Sequence, residues 1–223
     1  MILVHHLNNS RSQRILWLLE ELNLPYEIKR YQRNATTMLA PPELRAVHPL
    51  GKSPVVSDGD LTIAESGAIV EYLADKYSAG KLAPAIGTPE RLRYTYWLHF
   101  AEGSAMPPLL MKLIFDRMES GPMPFFAKPI ARAIAKKGKA GFVQPNIDRI
   151  LDFMEGELGK SAWFAGAGFS AADIQMSFPL EAASMRAGLD ETRPKLWAFL
   201  KNIHARPAYL RALEKGGKYE LLK

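Results

Sequence analysis

Ser10, in the run NNSRSQR, stands where a first strand ends and a first helix begins. A hydroxyl beside the free N–H groups of a helix N-terminus is an arrangement that stabilises a thiolate. Ser12 competes for the same role. Further on, HPLGKSPVV (48 to 56) puts Pro54 directly ahead of a strand, where proline removes a ladder donor. If Ser53-Pro54 is cis, the chain turns sharply and the N–H and C=O of Ser53 face outward at a sheet edge, open to an extended peptide-like ligand. Eleven residues later, Glu65-Ser66 lies at a strand-to-helix junction. Free N–H groups and the positive helix end there attract a carboxylate, Ser66 adds a hydroxyl and Glu65 can hold an ammonium. Lys52 can meet a second carboxylate.

Each feature has a plain structural counterpart: a trans proline on an edge strand, a helix cap with an acidic first turn, a solvated lysine, an N-cap serine for a helix at 11 to 23. Their combination describes a ligand with an amino-acid head at Glu65 and Ser66, an amide at Ser53 and a carboxylate near Lys52. That is the outline of glutathione, with its sulfur near Ser10. Lowering a thiol pKa from about 8.5 by about two units needs about 2.7 kcal/mol. Two or three charge-assisted hydrogen bonds can supply it.

The thiol must come from the ligand, because the 223-residue chain has no cysteine. Protein thiolates, thiolate zinc sites and disulfides are thereby excluded, and no metal site is expected. The opening MILVHHLNNS lacks the basic flank and apolar core of a signal peptide, and no apolar run approaches 18 residues. A cytoplasmic location with no membrane partner is expected. Charge is unevenly spread: residues 1–80 hold 8 basic and 9 acidic residues, residues 81–223 hold 21 and 14.

Several elements must position these groups. ILVHHL (2–7) reads as a strand, and Ile15, Leu18, Leu19 and Leu22 form one helical face. YEIKRY (26–31), PVVS and LTIA read as strands, the last two joined by a tight turn at Asp58-Gly59-Asp60. A weak helix precedes them, and ESGAIVEYLADKY (65–77) is helical. The order βαβ-α-ββα fills residues 1–78. The Gly, Ala and Pro-rich stretch 79–88 is a linker, and 89–223 reads as all-α: helices near 89–119, 124–158 with an interruption at Gly138 and Gly141, 170–187, 193–205 and a short one from Pro207. FSAADI has a capping box, Ser170 with Asp173, and a staple of Phe169 with Ile174; Pro179 is expected to kink that helix. His5 and His6 are read as strand packing rather than as a base or metal ligands.

In this order NNSRSQRILWLLEEL, HPLGKSPVV, LTIAESGAIVEYL and FSAADI resemble the cytosolic glutathione transferases over nearly the whole chain. The resemblance implies an α/β thioredoxin-like N-terminal domain with a mixed four-stranded sheet, an all-α C-terminal helical bundle and a homodimer. It makes Ser10 the hydroxyl that activates the glutathione sulfur, with Ser12 or Asn9 as alternatives. Pro54 becomes the cis-proline, and Asn9, Lys52, Ser53, Glu65 and Ser66 glutathione contacts. His48 and Ser53 depart from the commoner Asn and Val; the first leaves the local loop bonding open. A serine-type enzyme remains once cysteine and tyrosine types are excluded.

The expected reaction is attack of the glutathione thiolate on a small hydrophobic electrophile. A glutathione-dependent peroxidase and a non-catalytic glutathione-binding module are the alternatives, and isomerisation or ether cleavage is left open. Leu7 and the segment GSAMPPLLMKLIF, through Met106, Leu110 and Met111, are the candidates for the second-substrate pocket. The basic segment KPIARAIAKKGK (128–139) is read as a solvated helix face and not as a nucleic-acid site, since no aromatic residue interleaves with its charges.

Overall fold

The computed structural model describes residues 1–221. Its first half is a mixed sheet of four strands, β1 (Ile2–Leu7), β2 (Tyr26–Tyr31), β3 (Val55–Asp58) and β4 (Leu61–Ala64), in the order β2-β1-β3-β4. β1 runs parallel to β2, pairing Ile2 with Tyr26, and antiparallel to β3, pairing Ile2 with Asp58. The parallel pair requires a crossover, which α1 (Ser12–Glu21) supplies, whereas β3 and β4 need only a turn. Gly59 takes φ +60° in that turn, a conformation that suits glycine.

Alternation along β1 decides what covers each face. Ile2 and Val4 join the main core with α1 and α3 (Ser66–Tyr77). Leu7 belongs with Tyr31 and with Leu44 of α2 (Pro42–Val47) in a separate cluster. This is the thioredoxin-like arrangement. The third strand starts at Val55 and not at Pro54, so the proline precedes the ladder and removes no bond from it.

The described part of the second half is helical. α4 (Pro89–Phe100) passes through a π-helical segment (Ala101–Ala105) into α5 (Met106–Ser120), and α6 (Lys128–Gly138) passes through another (Lys139–Val143) into α7 (Gln144–Lys160). The expected interruption near Gly138 and Gly141 is thus a widened turn inside a continuous helix, and that helix begins at Lys128 rather than 124. α8 (Ala171–Arg186), α9 (Pro194–His204) and α10 (Pro207–Gly216) follow. Leu222 and Lys223, within the expected helical domain, lie outside the described residues.

Proline marks the first turn of α4, α9 and α10, where its missing N–H leaves no bond unmade. The capping box of α8 is formed: the Ser170 N–H donates to Asp173 at 2.8 Å. Asp173 also accepts the N–H of Phe164 at 2.9 Å, so one buried carboxylate ties the helix start to the preceding loop.

Helix α8 runs on through Pro179. Proline cannot donate to the carbonyl four residues back, which is that of Gln175. Arg14 of α1 fills the place, donating from Nη1 to the Gln175 carbonyl at 2.6 Å. The helix defect therefore becomes a bond between the two domains. The 79–88 stretch is also packed, with Leu82 and Ala83 buried and the Leu82 carbonyl accepting from Ala171 at 2.8 Å.

α1 is the central element. Ser12 through Glu20 are all buried, and Trp17 packs on Tyr209 of α10 and on Phe169. The N-terminus of α1 is therefore fixed from both sides.

Candidate active site

A groove opens between the sheet edge and the helical domain. Lys52, Ser53 and Pro54 line one side, Glu65 and Ser66 another, and Glu102 and Leu110 come from the helical domain. The loop from α2 folds back through Gly51, at φ +57°, where a Cβ would meet Arg45 Cγ at 2.6 Å. A positive φ there suits glycine, and the turn leads into Lys52, which lines the groove.

The Ser53–Pro54 peptide bond is cis. The Ser53 hydroxyl is turned inward: it donates to the His5 carbonyl at 3.0 Å and accepts from the Leu7 N–H at 3.4 Å. Among the described residues the Ser53 main-chain N–H and C=O have no hydrogen-bond partner of their own. Ser53 thus uses its side chain to hold the loop and leaves its backbone for the groove. His48, the departure noted in the sequence, lines the same groove with Nδ1 buried and unpaired among the described residues.

Glu65 precedes α3 with φ 69° and ψ 123°, a conformation costly for a residue with a Cβ. It takes Glu65 out of the expected helix and leaves the side chain exposed, while Ser66 is buried as the first helical residue. The helix start therefore faces the groove with an acid beside it.

Ser10 is 4% exposed and is not among the residues that line the groove. Its Oγ is 2.7 Å from Ser12 Oγ and 3.4 Å from Ser53 Oγ, and it accepts the N–H of Ser12 at 3.2 Å. Ser12 Oγ is 2.8 Å from His6 Nδ1. Burial, then the charge of Arg30, pushes the His6 imidazole down to about 4 although the Gly216 main chain pulls the other way. The ring is neutral at pH 7, as a packed strand histidine should be. His5 is likewise engaged, by Tyr31 at 2.9 Å and Ser57 at 3.3 Å.

The structure does not gather every expected residue here. Asn9 is occupied elsewhere: its side-chain oxygen accepts the Glu220 N–H at 2.9 Å. Leu7 is buried against Tyr31 and Leu44 on the other side of the sheet, because residues 5 and 7 share a face that β-alternation turns away from α1. Met106 is buried in the main core and Met111 packs against it. Leu110, 51% exposed, is the member of the expected apolar pocket that lines the groove.

Two charged groove residues were not singled out in the sequence, Arg11 and Glu102. Arg11 Nε donates to both Glu102 oxygens at 3.1 and 3.0 Å, and Arg14 donates to the same carboxylate. Burial opposes ionisation of Glu102, but Arg14 and then Arg11 outweigh it and hold the carboxyl below its usual range. The only local signal was NNSRSQR itself, which carries Arg11 beside Ser10 and Arg14 one turn later. Glu102 has none, being one acid within a long helical run.

Residues 1–75 match the model of the glutathione S-transferase N-terminal domain, and 121–207 that of the C-terminal domain. Glutathione S-transferase 3 of Schizosaccharomyces pombe is 37% identical over 215 residues, covering 96% of this chain and 88% of that protein. A crystal structure of a glutathione S-transferase from Actinobacillus pleuropneumoniae is similar with a TM-score of 0.79 at 34% identity, covering 99% of this chain and 95% of the other. A sphingomonad glutathione S-transferase complexed with glutathione has a TM-score of 0.73 at 25% identity, covering 96% and 98%. With the sheet, the cis-proline edge and the helical half already in place, these similarities lead to one conclusion: the chain belongs to the glutathione S-transferase family.

Proposed function

We propose that this protein is a glutathione transferase whose groove binds glutathione extended along the Ser53 edge. The γ-glutamyl head meets Glu65, Ser66 and the start of α3, the cysteinyl amide pairs with the Ser53 main chain, and the glycyl carboxylate meets Lys52. The observation that carries this reading is the coexistence, in one groove, of an acid at a helix start, an unpaired edge backbone and a lysine. Each corresponds to one part of the tripeptide.

The Ser10 hydroxyl, held at the start of α1, donates to the sulfur and stabilises its ionised form. The thiol proton leaves to solvent, and the sulfur lone pair forms the new bond to the electrophile while the leaving group departs with its own pair. Ser10→Ala is expected to lower turnover about 10- to 1000-fold with little change in glutathione affinity. Steady-state kinetics with a model electrophile checks this.

One observation favours a second reading, a glutathione-binding module without turnover. Ser10 is buried and its hydroxyl is already engaged by Ser12. That reading predicts retention on immobilised glutathione with no conjugation at all. We also propose a homodimer in the cytoplasm, consistent with the family and with exposed Leu92 and Tyr96 on α4. No helix among the described residues is long and apolar enough to cross a membrane.

A further inference from the structure

The second-substrate side of the groove is less apolar than its family would suggest. The candidates Leu7 and Met106 are buried in cores, and what lies there beside Leu110 is an arginine. Arg11 reaches from the sheet domain toward the helical one, uses only Nε on Glu102, and its ring-facing side sits 5.1 Å over Phe178. Among the described residues its two terminal nitrogens have no hydrogen-bond partner. Glu102 cannot neutralise it alone, because Arg14 shares that carboxylate.

Burial, then Arg11 and Arg117, hold the Arg33 guanidinium below its ordinary range. Burial, then Arg117, does the same to Arg186, whose Nε is buried and unpaired among the described residues. Asp116, the acid near Arg186, already carries Lys112 at 3.1 Å and Lys139 at 2.7 Å. What the groove itself offers an anion is Arg11, with its terminal N–H groups free and the carboxylate on its Nε shared with Arg14.

We infer that the electrophile this protein takes carries a carboxylate, received end-on by the free terminal N–H groups of Arg11. This rests on the glutathione transferase reading and adds the substrate class. The planar fork of an arginine fits a carboxylate with two parallel hydrogen bonds, while Leu110 covers the apolar body.

The test uses a pair of chlorinated electrophiles that differ in charge, 4-chloro-3-nitrobenzoate and 4-chloro-3-nitrobenzamide, with saturating glutathione. Sulfur bonds to the ring carbon, chloride leaves with the carbon–chlorine pair and the thiol proton goes to solvent. Each kcat/KM is divided by the uncatalysed rate constant. The benzoate should be favoured about 10-fold or more, and Arg11→Gln should abolish most of that ratio. Calorimetric binding of 3-nitrobenzoate to protein loaded with S-methylglutathione gives a readout that needs no turnover. It should weaken about 10-fold in Arg11→Gln, and retained S-methylglutathione binding shows that the variant is folded.

No preference in the parent protein, or an equal fall for both probes in Arg11→Gln, would overturn the inference; the latter would assign the arginine charge to the sulfur. Failure of the underlying reading looks different. It appears as retention on immobilised glutathione with no conjugation of either probe, whatever the benzoate binding shows.

Discussion

At the residue scale the site divides its labour between side chains that hold the backbone and backbone that is left free. Ser53 is the clearest case, its hydroxyl bound inward to His5 and Leu7 while its main chain faces the groove. Glu65 is the converse, a side chain presented by an unusual backbone conformation. If Glu65 holds an ammonium, Glu65→Gln should raise KM for glutathione about 10- to 100-fold, the range for a hydrogen bond to a charged group, and leave kcat nearly unchanged. A fall in kcat at constant KM would remove Glu65 from ligand binding. The groove positions of Pro54, Glu65 and Ser66 were legible because their signals are local: a proline before a strand, an acid and a serine at a strand-to-helix junction. Arg11 and Glu102 were not, since their significance comes from a contact spanning 91 positions. Leu7 and Met106 misled for the same reason. Apolar type alone cannot say which of two cores a side chain enters.

At the element scale, strand ends and helix starts are tied by single carboxylates. Asp173 caps α8, and Asp58, at the end of β3, accepts from Tyr77 at 2.5 Å, Lys76 at 2.9 Å and Tyr72 at 2.8 Å, all from α3. The hydrogen bonds from Tyr77, then Lys76 and Tyr72, hold the Asp58 carboxyl down to about 2, below the usual 3.8. A carboxyl lowered on folding contributes stability that is present above 3.8 and lost as pH falls through about 2. Asp58→Asn should therefore flatten the acid limb of the stability curve between those values. Urea midpoints measured across that range check it, and an unchanged slope would mean that the α3 contacts carry no pH-dependent stability. Element order and capping box could be read from the sequence because periodicity and caps are written in neighbouring residues. The π-helical segments could not, and neither could the continuity of α8 through Pro179. That continuity depends on Arg14, far away in the chain, taking the carbonyl that proline leaves free.

At the scale of the whole molecule, α1 serves both domains. Beyond Arg14, Glu20 pairs with Arg211 and Lys215 of α10, and Glu21 with Arg206. The serine at its start is thereby located relative to the helical wall as well as the sheet. The outer face of α4 has no such cover: Leu92 is 73% exposed and Tyr96 is 47% exposed, beside a cluster of Trp97, Phe100 and Phe153. A second copy of the chain is the proposed cover. Sedimentation velocity should give a species of twice 24.9 kDa, and Leu92→Glu should shift it toward monomer; a monomeric parent protein would contradict the homodimer.

The central claim is that a glutathione thiol bound in this groove loses its proton to the influence of Ser10. Ultraviolet titration of the thiolate in the complex tests it most directly. The account predicts a midpoint about two units below the free value of about 8.5, returning most of the way in Ser10→Ala. A midpoint near 8.5 in the parent protein, or one that Ser10→Ala does not move, would contradict it.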